Sequence, residues 1–306
     1  MKATVAGAPV SYGVFEMTPE GAATVSADDM LRSLAEAGYG GVDLGPVGFF
    51  GRGRELRERL ATHGLELAGG WVQLPLSDAE AFERSLPLLD DALRVFADAA
   101  EAGPERLPLP TLADDGSLAR RENPGKGSQV DRLEQRAWDR LIANTERAAE
   151  IIRAAGFEPT FHHHAGTFVE SPDEIDRFLA ETDIGLTLDT GHLLIAGGDP
   201  IDAITRWGKR INHLHLKDID RARLEKVLAA GGGMADVWMS GSFVAFGEGD
   251  LALAEVMTAI DEQHDFDGWI VVEQDVLNAP DVDIDVFRRA RGLDQTTNRE
   301  ALRAWV

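Results

Sequence analysis

Eight short apolar runs, each followed by a longer amphipathic stretch, predict an α/β chain folded as a single (β/α)8 TIM barrel, its active site at the C-terminal end of the strands. The length agrees: such barrels typically take about 250 residues, and the 306 present leave a surplus for loops. An open doubly wound sheet is less well supported. No G-x-G-x-x-G turn follows the first strand, and Pro124-Gly125-Lys126-Gly127-Ser128 lacks the earlier glycine of a phosphate-binding loop. No composition shift marks a linker, so residues 1–306 read as one domain.

In chain order, the strands are expected at 3–12, 41–46, 65–74, 106–112, 158–164, 184–189, 211–217 and 269–274. The helices between them carry start and stop signals. Ser26 with Asp29 reads as a capping box, Leu31, Leu34 and Ala35 form an apolar stripe, and Gly38 stands where a helix terminates. Ser171-Pro172-Asp173-Glu174 and Asp199-Pro200-Ile201-Asp202 each order a cap, a first-turn proline and acidic residues as a helix N-terminus requires. The longest helix is expected at 129–154, with Leu133, Ala137, Leu141, Ala148 and Ile152 near one face. Two insertions remain, at 113–128 and at 219–251, the second ending in Phe246-Gly247-Glu248-Gly249-Asp250. That glycine loop is expected to bring backbone near the site without a catalytic role.

Composition narrows the function. With 30 Lys+Arg against 53 Asp+Glu, the net charge is −23, which disfavours a phosphate-backbone partner and an anionic membrane surface. The absence of cysteine removes disulfides, thiolate metal sites and cysteine nucleophiles, so any metal must sit on oxygen and nitrogen. No run approaches the ~18 apolar residues of a membrane span, and Gly7 and Pro9 break the opening segment too early for a signal-peptide core. A cytoplasmic location is the expectation.

Side chains alternate along a strand, so every second residue shares a face. Thr160, His162 and His164 form one row, with Phe161 and His163 opposite. Thr187 and Asp189 oppose Leu186 and Leu188; His213, His215 and Lys217 oppose Leu214 and Leu216; Glu273 shares a face with Val271. Strands five to eight thus each carry an imidazole or carboxylate toward their C-terminal ends. A carboxylate ending the apolar run Trp269–Val272 is costly to bury unless paired or coordinated. Groups of this kind converging in a closed barrel point to a shared cation.

Asp189-Thr190-Gly191-His192, His213-Leu214-His215-Leu216-Lys217-Asp218, Gly247-Glu248-Gly249-Asp250 and Gly268-Trp269-Ile270-Val271-Val272-Glu273-Gln274-Asp275 resemble the motifs of the xylose-isomerase-like sugar isomerase/epimerase superfamily. Within it, His162-His163-His164-Ala165-Gly166-Thr167 and the ending VVEQD are similar to inosose dehydratases, which remove water from 2-keto-myo-inositol. The resemblance implies Asp189, His215 and Glu273 as metal ligands. The fourth position, a glutamate in most relatives, aligns with His162, and either His162 or His164 would complete the set. It also implies that His192 contacts substrate.

Two carboxylates and two imidazoles suit Mn²⁺ first, with Co²⁺, Mg²⁺ or Zn²⁺ as alternatives. The ion would act as a Lewis acid on a carbonyl and neighbouring hydroxyl while Glu273 or an imidazole of the 162–164 cluster removes the α-proton. Dehydration further needs an acid, for which His164, His192 and Lys217 are candidates. Asp43, at the end of strand two, reads either as a substrate-hydroxyl ligand or as a turn cap. Trp71 and Phe50 read either as an apolar wall for a polyol ring or as packing. The leading expectation is a metal-dependent hydro-lyase on a keto-polyol, followed by a keto-sugar isomerase or epimerase. An apurinic-site endonuclease and a subunit active only with another protein are the more distant readings. A small-molecule substrate and homo-oligomeric association are expected.

Overall fold

The computed structural model describes residues 1–18, 22–264, 266–278 and 281–306. Among the described residues ten strands follow one another: β1 Thr4–Gly7, β2 Gly41–Asp43, β3 Glu66–Leu74, β4 Leu109–Asp114, β5 Thr160–His162, β6 Gly185–Asp189, β7 Ile211–Leu216, β8 Asp218–Ile219, β9 Phe243–Val244 and β10 Trp269–Val272. Eight of them close into a parallel barrel in the order β1-β10-β7-β6-β5-β4-β3-β2, with helices on the crossovers. β8 and β9 form a separate antiparallel ribbon. The expected (β/α)8 barrel is the fold.

Several strands are shorter than expected, for identifiable reasons. β1 stops at Gly7 because Pro9, lacking an N–H, opens a 3-10 turn over Pro9–Tyr12 instead of extending the ladder. β2 ends at Asp43, two residues before Gly45 turns the chain with φ of 59°. β4 is displaced to Leu109–Asp114, leaving Leu107 exposed. β5 ends at His162, where a turn takes over: the His164 N–H bonds Val169 O and the Thr167 N–H bonds His164 O. β7 and β10 also stop short, at Leu216 and Val272, although the Glu273 N–H still pairs with Leu216 O.

The caps behave as their chemistry requires. Ser26 accepts the Asp29 N–H and donates to Asp29 Oδ2, closing its box between side chains. Ser171 and Glu174 form a full capping box, and Asp199 caps Pro200–Trp207 through the N–H groups of Ile201 and Asp202. The long helix begins at Gln135 rather than at 129. Residues Gly127–Val130 form a separate short helix that breaks at Asp131, whose carbonyl accepts from Arg120 Nε at 2.7 Å. Leu133 therefore lies outside the helix, packed against the core.

Both insertions fold over the C-terminal end of the barrel. The first is held by Arg120, fully buried, which donates to Asp131 O and Thr167 O and pairs with the Glu174 carboxylate. Beside it, the Glu170 carboxylate accepts N–H groups from Gly125, Gly127 and Gly166. The second insertion contributes the helices Arg221–Ala229 and Met234–Met239. Its glycine loop is tied down by Asp218, which accepts the N–H groups of Gly247, Gly249 and Leu251. Deeper in the barrel, Ala6, Ala68, Trp269 and Val271 pack together as a floor. Trp269 fits because Gly41 has no side chain: a Cβ there would lie 2.6 Å from its ring. Among the described residues, no helix is long and apolar enough to cross a membrane.

Candidate active site

Register brings the chemistry together. Asp189 on β6 and Val271 on β10 both pair with His215 on β7, and His162 on β5 pairs with Thr187 on β6. One donor atom from each of His162, Asp189, His215 and Glu273 lies within 4.8 Å of the others, and all four residues are buried. His215 Nδ1 is 2.9 Å from Glu273 Oε2 and 3.2 Å from His162 Nε2; Asp189 Oδ2 is 3.4 Å from His162 Nε2. The expected four-residue set is assembled, and it contains His162 rather than His164.

The surroundings orient each donor. His162 donates its Nδ1 proton to the His163 carbonyl at 2.6 Å, which leaves the Nε2 lone pair facing the centre. Asp189 caps the helix Thr190–Ile195 with Oδ1, accepting the His192 N–H at 2.8 Å, while Oδ2 has no hydrogen-bond partner. His163, on the opposite face of the strand, accepts the Asp189 N–H through Nε2 and so fixes the backbone beneath that carboxylate. A carboxylate oxygen that accepts no hydrogen bond and an acceptor imidazole, with no sulfur among the donors, fit a divalent cation.

Lys217 completes the centre. Its ammonium lies 3.2 Å from Asp189 Oδ2, 3.0 Å from Glu273 Oε2 and 2.9 Å from Asp275 Oδ1. Burial alone would lower its pKa, but these carboxylates outweigh burial and hold it above the ordinary lysine range. Burial would likewise raise Glu273, yet His215 and Lys217 pull its carboxyl well below the usual range. Asp189 behaves the same way, with Lys217 overcoming burial. Burial holds His164, His192 and His213 well below the ordinary imidazole value, so these rings are neutral.

A cavity of about 390 Å³ opens above the four donors. It is bordered by Asp43, Trp71, His162, His164, His215, Lys217 and Glu273. Trp71 stands edge-on to His162 and His164, at 5.2 and 5.1 Å between ring centroids. Asp43 sits with Oδ2 3.8 Å from His215 Nε2, and burial pushes its pKa up to about 6. One expected residue is placed elsewhere, and Phe50 takes its packing role. His192 lies behind the wall, fully buried, because the short helix capped by Asp189 carries it under His164; their centroids are 3.5 Å apart and its Nε2 is 3.0 Å from Lys217 Nζ. Phe50 packs in the core against Phe49 and does not border the cavity, and neither does the glycine loop at 247–250.

The cavity has further borders with no role expected from the sequence. Asp275 continues the row of Val271 and Glu273, so alternation already carried its signal. Phe15, Met234 and Trp238 form the roof, with Phe15 and Trp238 packed edge to face at 5.3 Å, and Asp115 and Arg121 come from the first insertion. Phe15 and Asp115 lie outside any strand or helix, whereas Met234 and Trp238 share the buried face of the short helix Met234–Met239.

Across residues 31–290, the chain matches the family described as xylose isomerase-like TIM barrel. The chain belongs to this family. It is 30% identical over 256 residues to an inosose dehydratase of Geobacillus kaustophilus, covering 80% of this chain and 79% of that protein. It is also 30% identical over 275 residues to an inosose dehydratase of Bacillus velezensis, covering 87% of each. Among solved structures, the D-psicose 3-epimerase of Clostridium cellulolyticum superposes with a TM-score of 0.68 at 15% identity, covering 99% of both chains, a likeness of fold. With this family and these relatives, the protein is an enzyme.

Proposed function

We propose that the protein is a divalent-metal-dependent hydro-lyase of the inosose dehydratase kind, removing water from a cyclic keto-polyol. The observation that carries this reading is the pairing of a four-donor centre with one neutral imidazole on the cavity wall above it. His162, Asp189, His215 and Glu273 would hold the ion, Mn²⁺ first, and when bound it supplies Lewis-acid polarisation of the substrate carbonyl.

The chain's own groups supply the rest. His164 donates Nδ1–H to the Ala165 carbonyl at 2.7 Å, so Nε2 is its basic edge. That edge takes the proton from the carbon beside the carbonyl. The carbon–oxygen bond of the β-hydroxyl then breaks as the carbon–carbon double bond forms, and His164 returns the proton to the departing hydroxide, releasing water. Lys217 is held by three carboxylates and keeps its proton; it anchors Glu273 and Asp275 instead of acting as the acid. Trp71 offers an apolar face to the ring carbons, and the roof of Phe15, Met234 and Trp238 excludes bulk water.

Incubation of the Mn²⁺-loaded enzyme with 2-keto-myo-inositol, followed by mass analysis, tests this. A product lighter by one water is expected. A product of unchanged mass with altered stereochemistry would replace the dehydratase reading with an epimerase, and no turnover would remove this substrate.

A further inference from the structure

Deeper in the barrel, toward β2 and β3, a second polar cluster shares His215 with the first centre and adds Asp43 and His213, which the proposed reaction does not use. His213 is fully buried, and neither of its ring nitrogens has a hydrogen-bond partner. His215 Nε2, on the ring edge opposite the first centre, is also buried and unpartnered. Asp43 Oδ2 lies 3.8 Å from it. One donor atom each from Asp43, His213 and His215 falls within 4.8 Å of the other two. Gly69 on β3 leaves room for the ring, since a Cβ there would approach both Cε1 and Nε2 of His213 to 3.3 Å.

A buried polar atom left without a partner is destabilising, so two such nitrogens on one ring call for a ligand. Two imidazoles and one carboxylate, with an open side toward the cavity that Asp43 and His215 border, make the three-ligand donor set that divalent zinc accepts. Charge points the same way. Asp189, Glu273 and Asp275 already surround the ammonium of Lys217, and Asp43 adds a further carboxylate beside the Nε2 edge of His215.

We propose that Asp43, His213 and the Nε2 edge of His215 form a second divalent-cation site, joined to the first through the imidazole ring of His215. With both sites filled, the ring presents Nδ1 to one ion and Nε2 to the other, and its last N–H proton passes to solvent.

Equilibrium dialysis of the full chain against Zn²⁺ with elemental analysis tests the proposal, with folding of each variant followed by circular dichroism. Two equivalents per chain are expected for the wild type, and one for His213→Gln. Asp43→Asn provides an independent route to one equivalent should the histidine variant fail to fold, and Asp189→Asn should retain the second site while losing the first. One equivalent in the wild type, or two in both His213→Gln and Asp43→Asn, would overturn the proposal while leaving the first centre standing. No bound metal in the wild type would overturn both centres.

Discussion

The two halves of the barrel share one architecture and divide the work unequally. β5, β6, β7 and the residue after β10 supply every donor of the four-residue centre together with Lys217. β1 to β4 and their loops supply mainly wall: Trp71, Gln73, Pro9, Val10 and Phe15 border the cavity, with Asp43 as the strand-end carboxylate facing His215. A closed parallel sheet gives every strand end equal access to the mouth, so the asymmetry lies in the residues placed there. In the proposed mechanism, one half carries reaction and the other carries fit.

The sharpest way to break that division is to remove a donor without removing its shape. Glu273→Gln and Asp189→Asn should each lower kcat/KM by about a thousandfold or more, the scale seen when an electrostatic centre loses a member. Thermal unfolding midpoints should change little by comparison. Near-normal steady-state kinetics in either variant would contradict the role given to the second half.

Arg120→Ala probes the scaffold that presents His164. The guanidinium spans the first insertion and the turn after β5, and its side chain is 1% exposed beside the Glu174 carboxylate. Leaving Glu174 unpaired should cost about 3–5 kcal/mol, read from urea denaturation. A loss of a few tenths would show that the clamp does not hold the wall.

Asp114 ends β4 as Asp189 ends β6, yet its Oδ1 accepts N–H groups from Gly116 and Phe168 and braces loops. Burial pushes its pKa from 3.8 up to about 6. The folded state therefore binds this proton more tightly than the unfolded state, and the contribution to stability falls as pH rises from about 4 to about 6. Asp114→Asn should flatten the stability profile in that window by up to about 3 kcal/mol, while the wild-type slope in the variant would rule out Asp114 as its source. The smallest change belongs to the wall: Trp71→Ala should raise KM about tenfold, roughly 1.4 kcal/mol, with kcat less affected. A larger fall in kcat than rise in KM would move Trp71 from fit to reaction.

Period and punctuation in the sequence make much of this legible. Eight rounds of strand and helix marked the barrel, and alternation placed His162, Asp189, His215 and Glu273 on inward rows. Strand ends were overdrawn where a local rule beat the apolar run, as at Pro9 in β1 and in the turn beginning at His164. Whether His162 or His164 joins the four donors depended on where β5 stops, and pleat alternation alone cannot fix that point because both residues fall in the same row. The roof was illegible because Phe15 lies outside any strand or helix and the helix that carries Met234 and Trp238 is only 6 residues long, too short to show a period.

The most direct measurement is turnover of 2-keto-myo-inositol after exhaustive dialysis against a strong chelator, followed by readdition of Mn²⁺. Loss of dehydration on chelation and its return with the ion is the predicted result. Full activity in a preparation shown by elemental analysis to be free of metal would contradict the account.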